Sequence, residues 1–171
     1  MSTPIFNDVR TRAATLAVTK VLSQQTWIAA LCPPAPEWNG IPPTPDMDNP
    51  HLEQPFVYLR SFAVGFLSPD EAGEVAGQTP DGELLKYAFS DDPTDTLFVK
   101  VHAPIGSFAG QELGAIALYS NPALVEGVPA GKEVLLPADV VEPGTLSRVA
   151  YMTPTPLFAG TGLTHFFIDR Y

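Results

Sequence analysis

Apolar positions in this chain follow two different periods. Near the amino terminus the spacing is helical: Ile5, Val9, Ala13, Leu16 and Lys20 fall on one stripe, which Ala14, Val18, Val21 and Leu22 widen. Thr3-Pro4 offers a start, a capping hydroxyl followed by a proline whose missing N–H costs nothing in a first turn. The pattern predicts one amphipathic helix ending near Leu22. Residues 23–32 fit two periods, since Trp27, Ile28 and Leu31 suit another helical turn while Thr26-Trp27-Ile28 suits a strand. Prolines 33, 34 and 36 end the segment either way.

Residues 33–55 contain eight prolines in 23 positions, with Asn39-Gly40 among them, so regular hydrogen-bonded structure is not expected there. This stretch reads as a proline-rich extended arm or loop. From residue 56 onward, short strand-like runs alternate with turn residues. Residues 56–66 are apolar on both alternating faces, as in a central strand, and residues 67–82 form a polar excursion closed by Pro80-Asp81-Gly82. Further strands are predicted over 83–89, 96–103, 111–120, 132–136, 145–152 and 164–170. The expected fold is mainly β with an N-terminal α-helix (α+β): an antiparallel sheet or sandwich of about seven strands, with the helix packed against it. It is read as a single domain over residues 1–171, with the arm inside it.

Composition narrows the class. Leu, Ile, Val and Phe make up 47 of 171 residues, enough to build a core. Proline, at 19 residues, is about twice its usual share of about 5%. The longest apolar run covers only residues 27–32, far short of the roughly 18 residues of a membrane span, so no membrane partner is expected. Neither a secretory leader pattern nor an Asn-x-Ser/Thr site is present, and a lone Cys32 allows no internal disulfide, which suits a reducing compartment or stabilisation through packing and assembly. The net charge of −10 is regional: residues 33–95 hold 12 acids against only Arg60 and Lys86. There is no basic stripe of the kind phosphate neutralisation needs, so no nucleic-acid partner is expected.

The usual chemical signatures are weak. His51, His102 and His165 stand far apart, without the i, i+4 spacing that brings two imidazoles to one metal. Asp46, Asp48 and Glu53 imitate the start of a calcium loop, but its turn glycine is missing and Val57 stands where the bidentate acid belongs. A casual cation site there, or at Asp91, Asp92 and Asp95, competes with a solvated acidic loop. No Gly-x-Ser-x-Gly elbow occurs, Ser107 and Ser147 lack triad companions, and Gly160-Thr161-Gly162 is too short for a phosphate fingerprint. Neither an enzyme nor a cofactor is expected.

One order of elements carries a resemblance. After the helix and the arm come Ser61-Phe62-Ala63-Val64-Gly65, a long polar loop closing into Glu83-Leu84-Leu85, the strand Leu97-Phe98-Val99-Lys100-Val101, and a turn with Gly106 and Phe108. The segment FAGQELGAIALYSNPAL, residues 108–124, is the most telling. This arrangement resembles the amino-terminal attachment domain of phage tail-fibre and tail-collar proteins. There a glycine-phenylalanine turn feeds a strand bearing Glu, Gly and Leu-aromatic, matched by Glu112, Gly114, Leu118 and Tyr119 with a one-residue displacement between Gly114 and Leu118. The chain departs from the pattern where Phe66-Leu67 replaces an acidic-glycine string, and it has no fibrous shaft before Tyr171.

The resemblance implies a tailed-phage virion structural protein, located in the virion tail and assembled in the host cytoplasm. The missing shaft favours a tail or baseplate component or a fibre-attachment adaptor. It would act by protein–protein contacts with other tail, baseplate and fibre proteins, as a homo-oligomer. Trp38, Ile41 and Phe56 are the expected interface anchors, because apolar and aromatic groups dominate interface energetics. The alternative is a carbohydrate-binding β-sandwich module stacking sugars on Trp38, Tyr58, Tyr87 and Tyr151. A hydrolase centred on His102 and an acid comes third.

Overall fold

The computed structural model describes residues 11–44, 46, 50, 52–78, 84–160 and 162–171. The expected helix start at Thr3-Pro4 with Ile5 and Val9, and also Asp48, His51, the Pro80-Asp81-Gly82 turn, Glu83 and Thr161, lie outside the described residues. The chain is mainly β, with one described helix near its amino terminus. In order come α1 (Arg12–Ser23), β1 (Trp27–Cys32), a 3₁₀ turn (Pro36–Trp38), β2 (Val57–Pro69), β3 (Val75–Gln78), β4 (Leu84–Ser90) and β5 (Thr96–Ala103). β6 (Glu112–Ser120), β7 (Ala123–Leu124), β8 (Val134–Leu135), a second 3₁₀ turn (Pro137–Asp139), β9 (Val140–Glu142), β10 (Thr145–Pro156) and β11 (Leu163–Arg170) complete it. β5 pairs with both β2 and β11.

The chain divides into two compact units, one drawn from residues 1–24, 65–98 and 168–171, the other from 25–64 and 99–167. In the first unit, α1 begins where the Thr11 hydroxyl accepts the Ala14 N–H at 3.2 Å. Its buried residues are Thr15 and Thr19, not the apolar stripe. Thr19 Oγ1 donates to the Thr94 carbonyl at 2.8 Å, and Thr94 Oγ1 donates to the Leu67 carbonyl at 2.7 Å, so hydroxyls tie helix to strand. β4 pairs antiparallel with β3, from Val75↔Tyr87 to Gln78↔Leu84, and with the end of β2, from Phe66↔Ser90 to Pro69↔Tyr87. The sequence pattern predicts no strand at β3, because Val75-Ala76-Gly77-Gln78 has one β-branched residue and a glycine.

In the second unit β10, β6, β1 and the start of β2 lie side by side in that order, all antiparallel. The ambiguous segment before the prolines is therefore a strand. β1 is buried at all six positions. It pairs with β6 from Trp27↔Ser120 to Cys32↔Ala115 on one edge and with β2 from Ile28↔Arg60 to Leu31↔Val57 on the other. β8 takes the other edge of β2, at Tyr58↔Leu135 and Leu59↔Val134. Ile28, Ala30 and Cys32 pack with Ala35, Trp38, Tyr58, Ala115, Ala117 and Leu135 on one side of the sheet. β10 runs past its predicted end through Pro154 and Pro156, which a strand at the end of the order accommodates because its outer N–H groups have no ladder to serve.

Gly114 is required by a close approach. A Cβ there would stand 2.5 Å from Pro34 Cα and 2.6 Å from Pro34 N, so the chain leaving β1 can cross β6 only over a residue without a side chain. Gly114→Ala is expected to destabilise the fold by about 1–3 kcal/mol through backbone overpacking, measured as a lower urea midpoint.

A second prediction concerns alkali. Burial pushes the Cys32 thiol from 9.0 up to about 12, with Glu53 adding to the effect. Burial, with Cys32 and Tyr58 nearby, pushes the Tyr119 phenol from 10.0 up to about 12, and burial also raises Tyr58. These groups keep their protons in the folded chain after the unfolded chain has begun to release them. Their contribution is therefore whole below the unfolded values of 9.0 and 10.0 and is lost as pH rises towards about 12. Urea midpoints should fall across that window, and less steeply in Cys32→Ala.

Candidate interaction surface

The three expected anchors occupy three different environments in the second unit. At the base of the arm, Ala35 and Trp38 close a single 3₁₀ turn, with Trp38 N–H donating to the Ala35 carbonyl at 3.0 Å. Trp38 is only 6% exposed, and its ring meets Tyr151 edge-on at 5.7 Å. Its indole Nε1 is buried and has no hydrogen-bond partner among the described residues. Asn39 and Gly40, at φ 46° and 82°, then reverse the backbone in the left-handed region. Ile41 N–H donates back to the Trp38 carbonyl at 2.8 Å, and the Ile41 side chain stands 74% exposed. Glu37, Trp38, Ile41 and Pro43 line a shallow groove of about 270 Å³. Phe56 is half-buried, with its ring tilted on Phe108 at 5.9 Å and its N–H donating to the Leu31 carbonyl at 3.0 Å.

Two loops beyond Phe108 add apolar surface. Gly110 N–H donates to the Leu157 carbonyl and Leu157 N–H to the Gln111 carbonyl, both at 2.8 Å, so the two loops are stitched together. They touch again at Gly106, where a Cβ would stand 2.9 Å from the Ala159 carbonyl oxygen. The residues beside those contacts, Ile105 and Phe158, are 73% and 66% exposed. Residues 104–111 and 157–160 carry no charge. The first unit has its own outward apolar face, since Ala14, Ala17 and Val21 on α1 are exposed.

The proposed sugar platform is not assembled: Trp38, Tyr58 and Tyr87 are buried, which leaves no row of exposed faces for stacking. Among the described residues His102 is not set against an acid. Its Nδ1 lies 3.0 Å from Thr164 Oγ1 and its ring is edge-on to Phe62 at 5.8 Å. His165 packs edge-on to Phe167 at 4.6 Å, and burial, then nearby Arg148, holds its pKa below the usual range. Asp95 is engaged by Arg170 at 3.2 Å and by the Thr96 hydroxyl at 2.9 Å. Among the described residues no three His, Cys, Asp or Glu side chains come together as a metal site.

Sequence reasoning missed an outward face on β2, β5 and β11. Lys100 Nζ lies 5.1 Å from the centre of the Phe62 ring and 5.3 Å from that of Phe166, and Phe62 is 60% exposed in mid-strand. The alternation of Lys100 and His102 with Val99, Val101 and Ala103 was the available signal; only strand pairing could add Phe62, Thr164 and Phe166.

The chain thus offers exposed apolar tips on braced loops, with no assembled metal cluster among the described residues. No curated protein sequence matches it. The family model for the "Baseplate wedge 3 tail fiber network component" matches residues 7–168, nearly the whole chain. The chain therefore belongs to the family of baseplate wedge 3 tail fiber network components, structural proteins of the phage tail baseplate.

Proposed function

We propose that this protein is an adaptor within the baseplate and fibre network that acts by burying surface against neighbouring tail, baseplate and fibre proteins. It performs no catalysis, requires no cofactor, binds neither nucleic acid nor membrane, and is built into the tail in the host cytoplasm as a homo-oligomer. The whole chain works as one domain whose arm, residues 33–55, reaches the neighbour. Ile41 is the arm's contact, Trp38 its anchor and Phe56 the brace where the arm rejoins the sheet.

The observation that carries this reading is the pairing of a buried Trp38 with a 74% exposed Ile41 three residues later. An apolar tip held by a fixed base meets a partner with little further loss of chain freedom, which is what makes a small contact effective. Large apolar side chains at the centre of interfaces carry most of the binding energy.

Virions purified on a density gradient and washed with salt should retain the protein at fixed stoichiometry, as read by quantitative mass spectrometry. Ile41→Asp should fold with a stability within about 0.5 kcal/mol of the native chain, as exposed positions do, yet be lost from particles. Trp38→Ala should cost about 3–5 kcal/mol in the urea midpoint, as removal of a buried tryptophan does. Incorporation of Ile41→Asp at full copy number would overturn the role of the arm, and recovery of the native chain only from soluble fractions would overturn the network role.

A further inference from the structure

The face missed in the sequence has a definite chemistry. Phe62, Lys100, His102, Thr164 and Phe166 come from three strands, with β5 paired to both of the others. Lys100 and His102 alternate with buried Val99, Val101 and Ala103, so their side chains leave the sheet on the side away from the core. The Lys100 ammonium rests against two rings at 5.1 and 5.3 Å, and His102 rests against one of them at 5.8 Å while bonded to Thr164. Two rings place a cation without cancelling its charge. Among the described residues no carboxylate lies within ion-pair distance of Lys100. In a chain with 19 acids and 9 Lys and Arg, a cation set on two aromatic rings with no carboxylate beside it among the described residues is the scarce half of a complementary pair.

The plentiful half is on the same molecule. Asp70, Glu71 and Glu74 are all exposed in the turn between β2 and β3. Asp70 Oδ1 accepts the Ala72 N–H at 2.8 Å and so shapes the turn, while Glu71 and Glu74 are left to solvent. Copies that each carry a charge of −10 repel one another at long range, so any contact between them must set local cations against acids.

We propose that the Phe62–Lys100–His102–Thr164–Phe166 face receives the acidic turn 70–74 of a second copy of this chain. A Glu71 or Glu74 carboxylate meets the Lys100 ammonium, and the methylenes of that glutamate lie on the Phe62 ring. Each copy then offers a turn and accepts one, a heterologous contact that links copies in series. The proposal deepens the network reading and rests on it.

Sedimentation velocity of the full chain over a concentration series, at low and high salt, tests it. Reversible self-association is expected, weakened by salt. Lys100→Glu should weaken it about tenfold or more, and Phe62→Ala should weaken it as well. The double variant Glu71→Lys/Glu74→Lys should fail alone and regain association when combined with Lys100→Glu. All these positions are at the surface, and unchanged urea midpoints would show that the variants fold. A native chain that stays monomeric, a Lys100→Glu variant that associates normally, or a charge swap that restores nothing would each overturn the contact. If the monomeric chain instead binds poly-glutamate or an acidic polysaccharide in a Lys100-dependent way, the face belongs to a foreign partner and the self-contact is likewise overturned. Loss of the contact with normal incorporation into particles leaves the network role intact, whereas absence of the native chain from particles removes that role.

Discussion

Trp27–Cys32 is six residues of backbone buried on both faces with no hydroxyl, amide or charged side chain among them, so the N–H and C=O groups there depend on neighbouring strands. The cost of an unpaired buried amide makes this a strict demand. β6 and β2 meet it from the two edges, and both must themselves be largely apolar to lie beside it. Other features of the second unit follow. β10 covers the far edge of β6, β8 covers β2, and the chain leaving Cys32 has room to turn back over β6 only because residue 114 is glycine. The Cys32 thiol and the Tyr58 and Tyr119 phenols are held protonated by the same burial.

Much of this was legible along the chain, and the places where it was not have physical causes. The helix, the prolines ending the next segment, and the principal strands follow from spacing and turn residues. The helix face does not. A stripe of alanines, valines and leucines reads as the buried side, but the buried positions are Thr15 and Thr19, and the carbonyls of Thr94 and Leu16 accept the Thr19 hydroxyl. Hydrophobic periodicity weighs transfer from water and cannot anticipate a hydrogen bond to a loop carbonyl 75 residues away. The same limit applies to Trp38: an aromatic residue in a proline-rich arm suggests an exposed side chain, and only its place in the core cluster and its contact with the Tyr151 ring show that it is buried.

The candidate surface was the least legible part. Ile41 follows directly from the composition of the arm, but Ile105 and Phe158 lie on loops more than fifty residues apart that backbone hydrogen bonds join. Phe62, Lys100 and His102, and Thr164 and Phe166 are likewise ordinary when read one strand at a time. What makes them a surface is register, which a single sequence records only as alternation within each strand.

The geometry of residues 36–41 is what the contact proposed for the arm draws on. Proline removes backbone donors, so the arm gains little from ladders and must be held by side chains. Trp38 supplies that hold, and the left-handed pair Asn39 and Gly40 immediately beyond it turns the chain outward. Glycine occupies one of these positions without strain, and asparagine is among the residues that tolerate the other best. Three residues therefore convert core packing into a fixed direction for Ile41. A longer tether would multiply the orientations of the tip and raise the entropy lost on contact, whereas a tip nearer the core would be covered by it. A buried tryptophan followed by two left-handed residues is a compact solution between those limits, and it needs no partner present to be in place.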